Sequence, residues 1–177
     1  TTYDSSIVGD GKSLFATDHP VDGGTAANRF STDLSLNETS LMQAIKNIRT
    51  NWVDERNLKI MGRAKRAGLM VPVNLMDVAE RITKTELRPG TADNDINADR
   101  SVEGGITDYM VIDYLTSNYA WFVLTQNDEG LKFFERDAYE TDMWVDNTTD
   151  NLLVKAYQRA QPIYTDWRCG YGSFPSA

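Results

Sequence analysis

The chain has 177 residues, 41% of them hydrophobic and 25% charged, the proportions of an ordinary globular protein long enough to hold a core without disulfides or a metal. Collagen, coiled-coil and disulfide-scaffold classes are excluded, and most of the chain is expected to fold. Lys and Arg number 18 against 26 Asp and Glu, a net charge of −8, so the footprint that neutralises phosphates is missing and autonomous tight DNA binding is not expected.

Residues 1–32 are rich in Gly, Asp, Ser and Thr and lack a sustained apolar period, which predicts an extended connector. Ser35 and Glu38 have the spacing of a capping box, and Leu41, Ile45, Ile48 and Trp52 follow at helical intervals, predicting a helix over 36–55 with those four residues buried. Short strands are expected at 59–61 and 69–73, around a basic turn over 63–68. A second helix is predicted over 74–87, capped by Asn74, carrying Leu75, Val78, Ala79 and Ile82 on one face, and stopped by Pro89 and Gly90. The acidic stretch 91–105 reads as a long surface loop. Beyond it, 110–115, 119–126, 131–136 and 139–145 read as antiparallel strands. Residues 152–161 read the same way, although the part over 152–159 is equally compatible with a helix. The tail, 170–177, is expected to fray. Helices first and strands later describe an α+β chain.

The longest apolar stretch, 119–124, is far short of the roughly 20 residues a membrane span needs, and no charged-then-apolar leader opens the chain. Cys169 is the single cysteine, so no internal disulfide is expected, a reducing cytoplasm fits, and the sequons at Asn37 and Asn147 read as chance. A start at Thr1 rather than Met suggests processing or a piece of a longer polypeptide.

Candidate chemistry is sparse. Gly9, Gly11, Lys12 and Ser13 end like a phosphate-binding loop, but Ser6 stands where that loop needs its first glycine and no helix follows. His19 is the single histidine, between Asp18 and Pro20, and a backbone tether is a better reading than a catalytic base. Cys169 has no companion ligand for zinc and reads as a packing residue. Asp93, Asp95, Asn97 and Asp99 alternate like a calcium loop, yet Ala98 and Gly104 occupy the positions that need glycine and a bidentate Glu. Glu140, Asp142 and Asp146 would share one face of a strand, where carboxylates can do acid and base work or simply face water. Arg63, Lys65 and Arg66 are too few for a nucleic-acid stripe.

The order of several phrases carries a resemblance. These are Leu14-Phe15-Ala16-Thr17-Asp18-His19-Pro20, Gly23-Gly24 with Asn28-Arg29, and the run from Asn51-Trp52-Val53-Asp54 to Lys59-Ile60. They continue with Leu69-Met70-Val71-Pro72, Ala79-Glu80-Arg81, and Leu87-Arg88-Pro89-Gly90-Thr91-Ala92-Asp93-Asn94-Asp95. Ala120-Trp121-Phe122, Gly130-Leu131-Lys132-Phe133-Phe134-Glu135-Arg136 and Gly170-Tyr171-Gly172-Ser173 complete the set. In this order and spacing they resemble the C-terminal part of the major capsid (major head) proteins of tailed bacteriophages, particularly the Mu-like prophage major head subunit group.

That resemblance implies the Hong Kong 97 phage-type capsid fold, represented by its axial domain and part of its peripheral domain. By analogy 1–32 is a connector, 33–134 the axial-domain region, 135–164 peripheral-domain strands, and 165–177 a C-terminal return and tail. Family members carry an N-terminal arm, an extended loop and a spine helix before the region matched. The implied function is structural, not enzymatic: self-assembly into pentamers and hexamers that form the icosahedral virion head around double-stranded DNA. Assembly would take place in the bacterial host cytoplasm, with other head proteins as further partners and no cofactor, metal or membrane. Arg88, Asp93, Asp95 and Arg100 are the subunit-contact candidates. The content of 4 Trp, 8 Tyr and 6 Phe suits a protein that tiles. The competing expectations are a carboxylate-based hydrolase, which calls for a deep pocket holding His19 or Glu140 with Asp142, and a cation-binding module centred on 93–99. If the chain tiles, the strands over 119–145 should be partly uncovered, with exposed aromatics among Trp121, Phe133, Phe134, Trp144 and Trp167.

Overall fold

A computed structural model of the chain describes residues 10–87, 96–97, 105–127 and 130–176, with the side chains of 65–67 set aside. It is an α+β structure in which two helices and a four-stranded sheet share one core, a short two-stranded pair lies in the connector, and a long two-stranded sheet stands by itself.

The connector is more ordered than its composition suggests. β1 (His19–Val21) and β2 (Gly24–Ala26) pair antiparallel, and Gly23 takes the positive φ of 76° that their tight turn requires. Ala26, Asn28 and Phe30 are buried. The first helix, α1 (Glu38–Asn51), begins two residues later than the capping box over 35–38 predicts. Asn37 is the N-cap, accepting from the Ser40 N–H at 2.8 Å, while the Ser40 hydroxyl accepts from the Asn37 N–H at 3.0 Å. Asn serves this role as well as Ser does, and Ser40 takes the place usually held by Glu or Gln. The helix stops at Trp52, which is extended, rather than at residue 55. Its predicted apolar face is correct: Leu41, Ile45, Ile48 and Trp52 are all buried.

Residues 59–61 form no strand beyond a single bridge between Val53 and Lys59. The basic segment over 63–68 is not a turn either, because β3 (Ala64–Val71) runs straight through it. A register shift between Ala64 and Leu69 against β5 (Trp121–Thr125) absorbs the irregularity, as a bulge does. α2 (Met76–Lys84) follows a short 3-10 turn over Val73–Leu75, so Asn74 is not its cap. It ends at Lys84, with Thr85 extended, three residues before the expected stop. Asn97 explains this end: it is buried, and its amide donates to the carbonyls of Ile82 at 2.7 Å and Thr85 at 3.0 Å, two of the orphan acceptors of the last turn.

β4 (Tyr109–Val111) pairs parallel with β3, and β8 (Gly170–Ser173) pairs antiparallel with β5, giving the order β4-β3-β5-β8. The predicted fraying of the tail is therefore corrected for 170–173, whose four residues are all buried. Small residues allow it. A Cβ on Gly172 would come within 2.9 Å of the Phe15 ring, and one on Gly170 within 3.2 Å of the Val123 carbonyl. The Ser173 hydroxyl accepts from the Leu34 N–H at 2.9 Å and donates to the Leu34 carbonyl at 2.8 Å, so the C-terminal strand is stitched to the entry of α1.

β6 (Leu131–Asp146) and β7 (Asn151–Tyr164) make the second sheet. The two strands expected at 131–136 and 139–145 are one, kinked by register shifts around Asp137, and the residues over 152–159 are strand rather than helix. Their turn is held by Asp146, which accepts from the Thr148 N–H at 3.0 Å and the Thr149 hydroxyl at 2.8 Å, with Asp150 at a φ of 55°. These bonds also hold the Asp146 carboxyl below its ordinary value.

Candidate interaction surface

The β6–β7 ribbon is where this structure departs most from a closed globule. Pairing of Val145 with Leu152, Met143 with Val154, Thr141 with Ala156, Glu135 with Ala160, Phe133 with Pro162 and Leu131 with Tyr164 puts these residues on one face. Gln158 shares that face and donates to the Glu135 carboxylate at 3.2 Å. Glu135 is the only charged residue in register there. The opposite face carries Lys132, Asp137, Glu140, Asp142, Lys155 and Arg159, with Phe134, Trp144, Leu153, Tyr157 and Ile163 among them. Its groups are linked: the Tyr157 hydroxyl donates to Asp137 at 3.0 Å, and the Lys155 ammonium lies 5.7 Å from the Tyr157 ring centre. Burial and Asp137 together push the Tyr157 phenol up.

A face with a single charged residue opposite one with several is the arrangement of a sheet with one face covered and one in water. Here the apolar face is in water too. Phe133 is 65% exposed, Met143 67%, Leu152 66% and Val154 63%. A two-stranded hairpin is marginal alone and needs a further strand or a helix against its apolar face to stand independently. Taking β7 as 14 residues, the face measures roughly 45 Å by 10 Å, about 450 Å², within the range of the largest, functional patches of monomers.

The expected exposure is therefore right for part of its list and wrong for the rest. Phe133, Phe134 and Trp144 are exposed, but Trp121 and Trp167 are buried. β5 is flanked by β3 and β8, and the Trp121 indole donates to the Leu34 carbonyl at 2.8 Å. Trp167 lies between the stacked His19 ring, 4.6 Å away, and the Arg168 guanidinium, 4.3 Å away, with Trp52 edge-on at 6.0 Å.

His19 is fully buried, and both ring nitrogens are engaged, Nδ1 with Asp10 at 2.6 Å and Nε2 with the Asn28 side-chain oxygen at 3.1 Å. Asn28 in turn donates to the carbonyls of Leu14 at 2.6 Å and Trp167 at 2.8 Å. The histidine thus ties the connector to the C-terminal return, as a tether. A cleft of about 570 Å³ nearby is lined by Asp10, Asp22, Glu55, Asp166 and Arg168, among others, but by neither His19, Glu140 nor Asp142. Glu140 and Asp142 do share a strand face, and that face is exposed. Lys12, the residue of the phosphate-loop reading, is ion-paired with Asp18 and accepts at its carbonyl from the Tyr164 hydroxyl at 2.7 Å. Burial pushes the Cys169 thiol up to about 11, which makes it inert packing.

The contact candidates Arg88, Asp93, Asp95 and Arg100 lie outside the described residues, as does Asp99 of the calcium-loop reading. Asn97 of that reading is a helix cap. Among the described residues there is no grouping of three or more His, Cys, Asp or Glu that could hold a metal, and no helix is long and apolar enough to cross a membrane. No family model, curated protein or solved structure matches the chain.

Proposed function

We propose that this chain is a structural subunit of a tailed-phage head, with the Hong Kong 97 type of architecture, and that it associates with copies of itself into pentamers and hexamers of a closed shell around double-stranded DNA. The observation that carries the reading is the uncovered apolar face of the β6–β7 ribbon. A soluble subunit holds such a surface when its partner is another polypeptide, and a shell protein needs several. The net charge of −8 fits an enclosing wall, since carboxylates repel the phosphates of packaged DNA and keep the shell from adhering to it. In this reading Arg88, Asp93, Asp95 and Arg100 supply contacts near the capsomer axis, and other head proteins are further partners. Electron microscopy of the purified full polypeptide tests it: rings of five or six subunits, or closed shells, are expected. A full polypeptide that remains a dispersed monomer at high concentration, with neither form on the grid, removes the proposal.

A further inference from the structure

We propose that the apolar face of the β6–β7 ribbon is covered by the same face of a second copy, stacked antiparallel about a two-fold axis close to Gln158; this rests on the self-associating reading above and names the contact it uses. The pattern along the face supplies the argument. Its apolar residues fall in two clusters, Met143, Val145, Leu152 and Val154 toward the turn and Leu131, Phe133 and Pro162 toward the base, all of them exposed. Between them sit the polar pair Glu135 and Gln158 and the small residues Thr141, Ala156 and Ala160.

Two such faces can meet in two closed ways. In a parallel stack turn meets turn, and Glu135 lies against the partner copy's equivalent carboxylate, two like charges in a desolvated seam. In an antiparallel stack the turn cluster of each copy covers the base cluster of the other. Gln158 then meets its counterpart near the axis, and Glu135 falls opposite Thr141 and Ala156. The two carboxylates separate by four residue steps of β7, roughly 13 Å, which weakens their repulsion several-fold relative to direct contact. The antiparallel stack buries the apolar clusters and avoids the clash. The two faces together remove about 900 Å², close to the ~1,000 Å² at which specific interfaces begin, so a weak, concentration-dependent dimer is expected, of the kind that suits a subunit adding to a growing assembly.

Sedimentation of the 177-residue chain together with crosslinking decides the matter. Wild type is expected to dimerise in the micromolar range. Val154→Asp is expected to raise the dissociation constant at least tenfold while leaving the circular dichroism spectrum unchanged. With a short bismaleimide, Gln158→Cys should link to itself, Leu152→Cys alone should not, and Leu152→Cys mixed with Leu131→Cys should. Cys169 stays silent because it is buried with its thiol pushed up to about 11. Self-linking at Leu152→Cys would mean a parallel stack and overturn the proposal. A chain that is monomeric at 100 µM, or unaffected by Val154→Asp, also overturns it. If the full polypeptide still forms shells in those cases, another segment covers the ribbon and the structural-subunit reading survives; if it forms none, both fall.

Discussion

β5 and the first residues of β7 are both short apolar runs. Trp121-Phe122-Val123 is buried between two strands, with the core beside it, while Leu152-Leu153-Val154 is exposed along its length. The difference is the number of neighbours. β5 has β3 on one side and β8 on the other, whereas among the described residues β7 pairs with β6 alone. Apolar content selects the strand state in both, but it is the count of covering elements that turns a strand into core, and in the ribbon that count is one short. Among the described residues the body's apolar strands are covered on both sides, and one face of the ribbon is not.

The sharpest way to break this comparison is a charge in the body. Ile45→Asp places an unpaired carboxylate where the side chain is 2% exposed and should cost on the order of 3 kcal/mol or more, enough to unfold a marginal domain in a urea melt. A melt unchanged by this substitution would show that α1 is not the core element described. One step smaller is a matched pair of substitutions. Phe30 is buried edge-on to Tyr171 at 4.9 Å, and Phe30→Ser should lose about 3 kcal/mol. Phe133→Ser, measured below micromolar concentration, should stay within about 0.5 kcal/mol of wild type. Equal losses at the two positions would mean that Phe133 is covered within the monomer.

The junction of the two regions comes next. A Cβ on Gly130 would collide with the Cβ of buried Cys169, so Gly130→Ala must push the ribbon's base away from the C-terminal return. A cost of roughly 1–3 kcal/mol is expected, with amide exchange in 131–136 accelerated more than in β5. A neutral result would show that the base is free to swing.

The smallest effect belongs to the ion pair of Arg29 and Asp33, which also accepts the Phe174 N–H at 3.0 Å. The Arg29 guanidinium holds the Asp33 carboxyl below its ordinary value, helped by that backbone bond. A depressed carboxyl contributes stability at pH values above its unfolded pKa, about 3.9, and loses it as the pH falls through the folded value. Asp33→Asn should therefore lower the melting temperature at pH 7 by the equivalent of about 1 kcal/mol or less, given the partial exposure of the pair. The gap to wild type should narrow as the pH falls from the unfolded value of about 3.9 through the lower folded one. A gap that persists in acid would mean that the carboxylate charge contributes nothing.

Much of the body was legible in the residues. The spacing of Leu41, Ile45, Ile48 and Trp52 identifies α1 and its buried face because a helix repeats every 3.6 residues whatever surrounds it. Its start was misplaced because Asn37 and Ser40 make the box with residue types weighted less than Ser with Glu. Residues 63–68 were misread because basic residues beside a glycine resemble a turn until a neighbouring strand claims them. The tail 170–173 was misread because glycine and serine signal flexibility unless a close approach, here to Phe15 and Val123, makes their smallness necessary. The ribbon is legible as a hairpin, since the apolar runs Met143-Trp144-Val145 and Leu152-Leu153-Val154 flank the Asp146–Asp150 turn symmetrically. What hid it was treating 131–136 and 139–145 as separate strands and leaving 152–159 open to a helix.

By itself the sequence determined the class of the chain, the position and inner face of its first helix, and the identity of its β-rich second half, because these depend on composition and on periods that repeat every 2 or 3.6 residues. Only the tertiary structure decided that His19 is fully buried with Asp10 and Asn28 as its partners, that Asn97 caps a helix, that four residues near the end are core, and that β6 and β7 pair into a ribbon with one face uncovered. Each of these depends on contacts between residues far apart in the chain, such as Asn28 with Trp167 and Leu34 with Ser173, and no local pattern encodes which distant neighbour arrives or fails to arrive.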